Sequence, residues 1–382
     1  MPENFNVGGQ AVIEGVMMRG SEGYAIAVRK SDGRIVSETF PFIPITQRRK
    51  GFALPVLRGA INLFEMLIIG IKSLEFSANE FEPNDADKGA KSSPGQSSDN
   101  SIPKGPLPPP NPQLTSGQLA GILLFSLTLG MLIFVALPNY ATHLLGKLIL
   151  GGEFYPDPAA PWYLKTWYFL SDKNSHLVEE NSPLLYNLIS GAIRVMIIVS
   201  YVWLISLMKD VHRLFQYHGA EHKVVFAHEN NIPLEVKNIR PLTTLHPRCG
   251  TTFIAIVLLV SIIVFAFLAR AIVAVWPGFA AMPFAFRKPC LILLHILFMP
   301  LVAGISYEVI KLAARRPRNL ILRALVAPGL AFQRITTKEP DDDMILVAIL
   351  SLQKALAIGQ SQEILAGEVF VRQTPLQEAA AG

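Results

Sequence analysis

"TFIAIVLLVSIIVFAFLARAIVAV", residues 252–275, carries one charge, Arg270, in twenty-four positions. An α-helix rises about 1.5 Å per residue, so about 20 apolar residues cross the roughly 30 Å hydrocarbon core of a bilayer. The stretch therefore reads as a transmembrane helix, and it sets the fold class for the rest of the chain. Three further stretches have the same character: 117–137 has no charge, 184–208 has Arg194 inside it, and 289–312 contains Pro300, where a kink is expected. The expected architecture is a mostly α-helical polytopic membrane protein with about four transmembrane helices. The lipid bilayer is then its first partner.

Composition agrees. The 382 residues are 51% hydrophobic and only 16% charged, and the formal net charge of +5 is modest. Basic residues sit mainly beside apolar segments, where they act as topology signals, and no nucleic-acid-binding pattern occurs. Arg48, Arg49, Lys50 and Arg58 precede the spans. Lys209, Arg213, Lys223, Lys237, Arg240 and Arg248 lie between the second and third, and Arg315, Arg316, Arg318 and Arg323 follow the fourth. Four spans put all three groups on one side. The expected location is thus the cytoplasmic (inner) membrane, multi-pass, with both termini cytoplasmic. The N-terminus lacks a basic region followed by an apolar core, so no cleavable signal is expected. Cys249 and Cys290 fall at opposite membrane faces in this topology and should not pair.

Outside the spans the chain divides by composition. Residues 1–51 read as a small cytoplasmic β-rich unit in which "YAIAVR" (24–29) and "RIVSETF" (34–40) flank an Asp32-Gly33 turn. The glycines of "GGQAVIEGVMMRG" (8–20) match no phosphate loop and serve packing. Residues 52–80 form an amphipathic interfacial helix whose charges, Arg58, Glu65 and Lys72, recur every seven residues along one face. Residues 81–116, rich in Pro, Ser, Gly and Asp, are a disordered linker. The transmembrane bundle occupies 117–335, with a polar cytoplasmic loop at 209–250. Residues 336–382 are a cytoplasmic helical tail, whose helix starts at Asp341, Asp342 and Asp343 through capping and the helix dipole.

The loop holds the chemistry. "YHGAEHKVVFAHE" (217–229) has three of the chain's eight histidines. Within it His218, Glu221 and His222 make the pattern H-x-x-E-H. On a helix the two imidazoles lie one turn apart on one face and can share a tetrahedral metal ion, while the carboxylate beside them can take a proton from an activated water. Further donors stand on the same side of the membrane: His246 and Cys249 in "LHPRCG", and Glu308 near the cytoplasmic end of the fourth span. The expected site is therefore Glu221 as catalytic base, with His218, His222, His246, Cys249 and Glu308 as the pool of ligands for a divalent transition metal such as zinc. The alternative is a wet helix at the membrane surface, whose histidines only satisfy local polar groups.

The segments "GGQAVIEGVMMRG", "VLRGA", "YHGAEHK", "HPRCGT", "ISYE" and "TTKEPDDD", in that order, resemble the YqhQ-like family of bacterial membrane proteins. The resemblance covers nearly the whole chain except the linker. It implies an integral protein of the cytoplasmic membrane, described in that family as a domain of unknown function or as a metal-dependent enzyme. It supplies no substrate. The H-x-x-E-H pattern is also that of inverted zincin peptidases, whose third ligand is a downstream glutamate. Here Glu308 stands 86 residues past His222 but within a span, so peptidase activity does not carry over. Two functions follow as expectations. One is a membrane-embedded metal-dependent hydrolase. The other is a non-catalytic scaffold or assembly factor that binds a protein partner through residues 1–51, with a structural metal or none. A homo-oligomer is compatible with either.

Overall fold

The computed structural model describes residues 7–81, 183–279 and 284–358, with scattered positions between 121 and 141. The span expected at 117–137 and the linker after residue 81 thus lie largely or wholly outside the described residues.

The chain opens with a four-stranded antiparallel meander: β1 (Gly8–Val12), β2 (Gly15–Arg19), β3 (Gly23–Arg29) and β4 (Ile35–Pro41), paired in that order. The β3–β4 turn closes as its sequence requires. Lys30 N donates to Arg34 O at 2.8 Å, Gly33 adopts φ +86°, and the Asp32 carboxylate accepts from the Arg34 amide at 3.0 Å. Strands β2 and β3 are almost fully buried on both faces, hence the near-continuous apolar runs "GVMM" and "YAIAV" in place of strict alternation.

Each sheet face has its own cover. Val12, Met17, Tyr24, Ile26 and Val28 pack on Ile69 and Met66 of helix α2 (Leu57–Glu80), which follows the short α1 (Ile45–Arg48). The opposite face, Val16, Met18, Ala25 and Ala27, packs on α4 (Lys209–Glu229) and α9 (Asp342–Ala357) through Tyr217, Val224, Met344 and Leu352. Residues 342–357 are therefore a wall of the N-terminal unit and not a separate tail. Asp341 holds the N-cap position of α9, but its side chain makes no capping bond. Asp342 and Asp343 instead pair with Arg240 and Arg29.

Helix α2 has two unlike sides. Glu65 is 6% exposed and accepts the Ile45 amide at 2.7 Å, and Arg58 reaches across to Glu308, while Phe64, Leu67, Ile68 and Ile71 are exposed. Only Lys72 of the three periodic charges stands outside. The helix thus turns charge toward the protein and apolar surface outward.

The remaining helices are apolar. α3 (Pro183–Ile205) ends at a 103° bend that leads into α4. After the short α5 (Val236–Ile239) comes α6 (Gly250–Val275), then α7 (Phe284–Arg315), which continues through Pro300 without a break, and α8 (Leu320–Thr336), capped by the Asn319 side chain on Leu322 N at 3.1 Å. Among the described residues Leu293–Arg315 is long and apolar enough to cross a membrane. The bent pair Ile189–Ile205 with Lys209–Glu229 is a second candidate, and Gly250–Phe265 is a shorter apolar helix. α6 and α7 leave between them an apolar cavity of about 510 Å³ bordered by Trp276, Phe279 and Cys290; Cys290 and Cys249 are both free thiols.

Candidate functional site

Helix α4 carries the H-x-x-E-H residues because the chain needs a helix there with two unlike faces. Tyr217, Ala220, Val224 and Ala227 face the sheet and α9, which leaves His218 and His222 on the flank toward the loop that precedes α6. That flank is crowded. A methyl on Gly219 would stand 2.0 Å from Lys338 O, so only glycine lets the segment after α8 run against the helix. The same segment is tied to α4 by Lys338 N on Phe215 O at 2.9 Å and by the buried Lys223, which donates to Glu339 and to Arg240 O.

Both imidazoles are held the same way. Nδ1 of His218 lies 2.8 Å from Thr336 O, and Nδ1 of His222 lies against Thr244 O. A carbonyl can only accept, so in the neutral ring Nδ1 carries the proton and Nε2 presents its lone pair. Nε2 of His218 is 3.1 Å from Cys249 Sγ, while Nε2 of His222, on a side chain 2% exposed, has no partner within hydrogen-bonding geometry among the described residues. The donor atoms of His218, His222 and Cys249 all lie within 4.8 Å of one another. Cys249 caps the N-terminus of α6, where its sulfur accepts from Thr251 N at 3.4 Å. Burial pushes His222 below its ordinary pKa, which keeps it neutral near pH 7.

Glu221 completes the cluster from the sheet side. It is 5% exposed, and its Oε2 lies 3.5 Å from His222 Nε2. It packs against Gly9 of β1, where a methyl group would stand 2.7 Å from Glu221 Cγ, and the Gly9 amide hydrogen-bonds the carboxylate. Burial raises the carboxyl pKa, against the opposing pull of His218 and His246.

Of the other expected ligands, His246 is adjacent but engaged elsewhere. Its ring centre is 5.8 Å from that of His222, and its Nε2 meets Glu229 at 3.2 Å, with Arg248 on the other carboxylate oxygen. Glu308 does not join the cluster. It accepts both arms of Arg58, at 2.7 and 2.5 Å, where α2 crosses α7 over Gly59 and Gly304. An acid in an apolar helix needs a cation; sequence offers Lys311 three residues on, but the structure pairs Glu308 with Arg58 of "VLRGA", 250 residues away. Sequence also gave no sign of Gln333. Its fully buried amide accepts from His246 N at 2.8 Å and donates to His246 O and Thr252 Oγ1, pinning the "HPRCG" loop to α8.

The fold and site define a mostly helical protein in which an N-terminal antiparallel sheet backs a buried histidine–cysteine–glutamate cluster. The chain belongs to the family described as "Protein of unknown function (DUF1385)", whose model matches residues 54–358. It is similar to the uncharacterized protein YqhQ of Bacillus subtilis (strain 168), with 27% identity over 356 residues and 92% of each chain covered. No solved structure matches it.

Proposed function

We propose that this chain is a membrane-embedded, metal-dependent hydrolase whose site lies at the cytoplasmic face of the bilayer. The observation that carries the reading is the paired orientation of His218 and His222. Each ring has Nδ1 committed to a backbone carbonyl and Nε2 turned toward Cys249. That outer bond fixes tautomer and ring angle, as it does for histidines that bind metals. Two imidazoles and a thiolate suit a divalent transition metal of zinc's character and leave one tetrahedral position for water or substrate. Such an ion, when bound, supplies Lewis acidity to an oxygen in that position. Glu221, oriented by the Gly9 amide, takes the proton from water. A non-catalytic scaffold with a structural metal is favoured by one feature: Glu221 and His222 are nine-tenths buried or more, which leaves a substrate little entry.

The membrane part rests on four spans at 117–137, 184–208, 252–275 and 289–312. α6, at 26 residues, is about 39 Å long. Exposed apolar side chains recur on α2 (Phe64, Leu67, Ile71), α3 (Met196, Leu204), α6 (Ile263, Phe267) and α7 (Leu293, Ile296), a distribution that suits lipid. The core shared by the sheet and α9 supports an even number of crossings between them, since it keeps both on one side. With basic flanks on that side, both termini face the cytoplasm.

Metal content by mass spectrometry on detergent-purified protein tests the site. Wild type is expected to hold about one equivalent of zinc or another transition metal, and His218→Ala/His222→Ala to hold none. No metal in wild type, after purification without chelator and with metal added back, would leave the histidines as structural residues. Glu308→Gln is expected to keep the full equivalent while loosening the α2–α7 crossing by about 1 kcal/mol, read by thermal unfolding, because its partly exposed pair with Arg58 is separate from the cluster.

A further inference from the structure

We infer that the turn joining α7 to α8 is a docking site for the headgroups of anionic phospholipids. The inference rests on α7 spanning the membrane, as proposed above. Between Glu308 and Glu339 the chain has no aspartate or glutamate, yet it carries Lys311, Arg315, Arg316, Arg318, Arg323, Arg334 and Lys338. Arg315, Arg316, Arg318 and Arg323 are exposed and cluster at the turn itself. The elements packed on α8, namely α3, α6 and α7, hold a single acid, Glu308, and that is committed to Arg58. The positive charge at this turn is therefore not answered from within the described protein.

Among these arginines stand Leu320 and Ile321, 77% and 72% exposed. Charges alone would serve as a topology signal and would need no apolar neighbours. A soluble acidic peptide or a nucleic acid would leave both aliphatic side chains in water. A leaflet with anionic headgroups satisfies both features, since guanidinium groups bind phosphate while the leucine and isoleucine enter the acyl region. Each arginine near such a surface contributes about 1 kcal/mol, roughly fivefold in affinity.

The test uses the full chain in neutral detergent, titrated with phosphatidylglycerol or phosphatidylcholine, with bound lipid counted by native mass spectrometry. Wild type is expected to retain phosphatidylglycerol at least tenfold over phosphatidylcholine. R315Q/R316Q/R318Q/R323Q is expected to bring the ratio near one, and L320S/I321S to lower retention of both lipids. Equal retention by wild type, or an undiminished preference in the arginine variant, overturns the inference. So does full displacement of the lipid by an equal concentration of free glycerol phosphate, which would identify a simple phosphate site. If the arginine variant fails to fold, wild type in high salt replaces it: loss of the preference there supports the inference, and persistence overturns it. Resistance of wild type to alkaline carbonate extraction from membranes is read separately. Its failure would remove the spanning reading, whereas extraction-resistant protein without lipid preference would remove only this inference.

Discussion

Gly219→Ala is expected to destabilise the protein by about 3 kcal/mol and to weaken metal uptake at least tenfold, although alanine is the better helix former by about 1 kcal/mol. The sign follows from what the new methyl meets. It would stand 2.0 Å from Lys338 O and 3.3 Å from Thr244 Cγ2; the first is a backbone atom that no rotamer change can move aside. To admit it the 336–339 segment must shift by about an ångström, at the usual cost of overpacking, about 1–3 kcal/mol. The shift also strains the bonds that hold this segment to α4: Lys338 N on Phe215 O, Gln216 on Glu339 O, and Lys223 on Glu339. Each is worth about 1 kcal/mol. Thr336 O moves with the segment, so His218 loses the carbonyl that sets its tautomer. Outer partners of this kind are worth about 10–100-fold in metal affinity. Denaturant unfolding and a zinc titration of the variant read the two effects. Gly250→Ala is the control, since a methyl at Gly250 meets nothing within 4 Å and should be neutral or slightly stabilising. A Gly219 variant as stable as that control would show that the close pass does not exist.

This glycine also shows where sequence stopped being informative. Helical spacing was enough to place His218 and His222 on one face, because that relation is local to α4. The Asp32-Gly33 turn between "YAIAVR" and "RIVSETF" was enough for the β3–β4 hairpin, for the same reason. The apolar runs at 184–208, 252–275 and 289–312 became α3, α6 and α7. What sequence could not give were relations between distant segments. Nothing local says that Gly9 of a hairpin will supply the amide for Glu221, or that the residues after α8 will present Thr336 O to a histidine 118 positions earlier. The partners of the α2 charges are equally distant in sequence: Arg58 meets Glu308, and Glu65 accepts the Ile45 amide. Glu308 was drawn toward the metal site by its depth and charge alone, and an arginine from the other end of the chain had already taken it.

Glu221→Gln is expected to raise the stability of the metal-free protein at neutral pH while leaving its metal stoichiometry at about one. Burial holds the Glu221 carboxyl above its ordinary pKa, chiefly through desolvation, so the folded state binds that proton more tightly than the unfolded state. The penalty for ionising it grows as pH rises above the unfolded value, about 4.5, and is relieved as pH falls below it. Glutamine removes the ionisation and keeps an oxygen to accept from the Gly9 amide. The chelator-treated variant should therefore unfold at a higher temperature than wild type at pH 8, by about 2–4 °C for each kcal/mol relieved, with the gap narrowing toward pH 5. Metal reverses the comparison, because a cation beside Glu221 stabilises the carboxylate and not the amide. Zinc should thus raise the unfolding temperature of wild type more than that of the variant. These measurements also divide the two readings of the site. A variant that keeps its equivalent of metal leaves Glu221 free to act as a base, in the manner of a hydrolase. A variant that loses it makes Glu221 the fourth ligand of a closed site, and closed sites of four protein ligands hold structures together and do not turn over substrate.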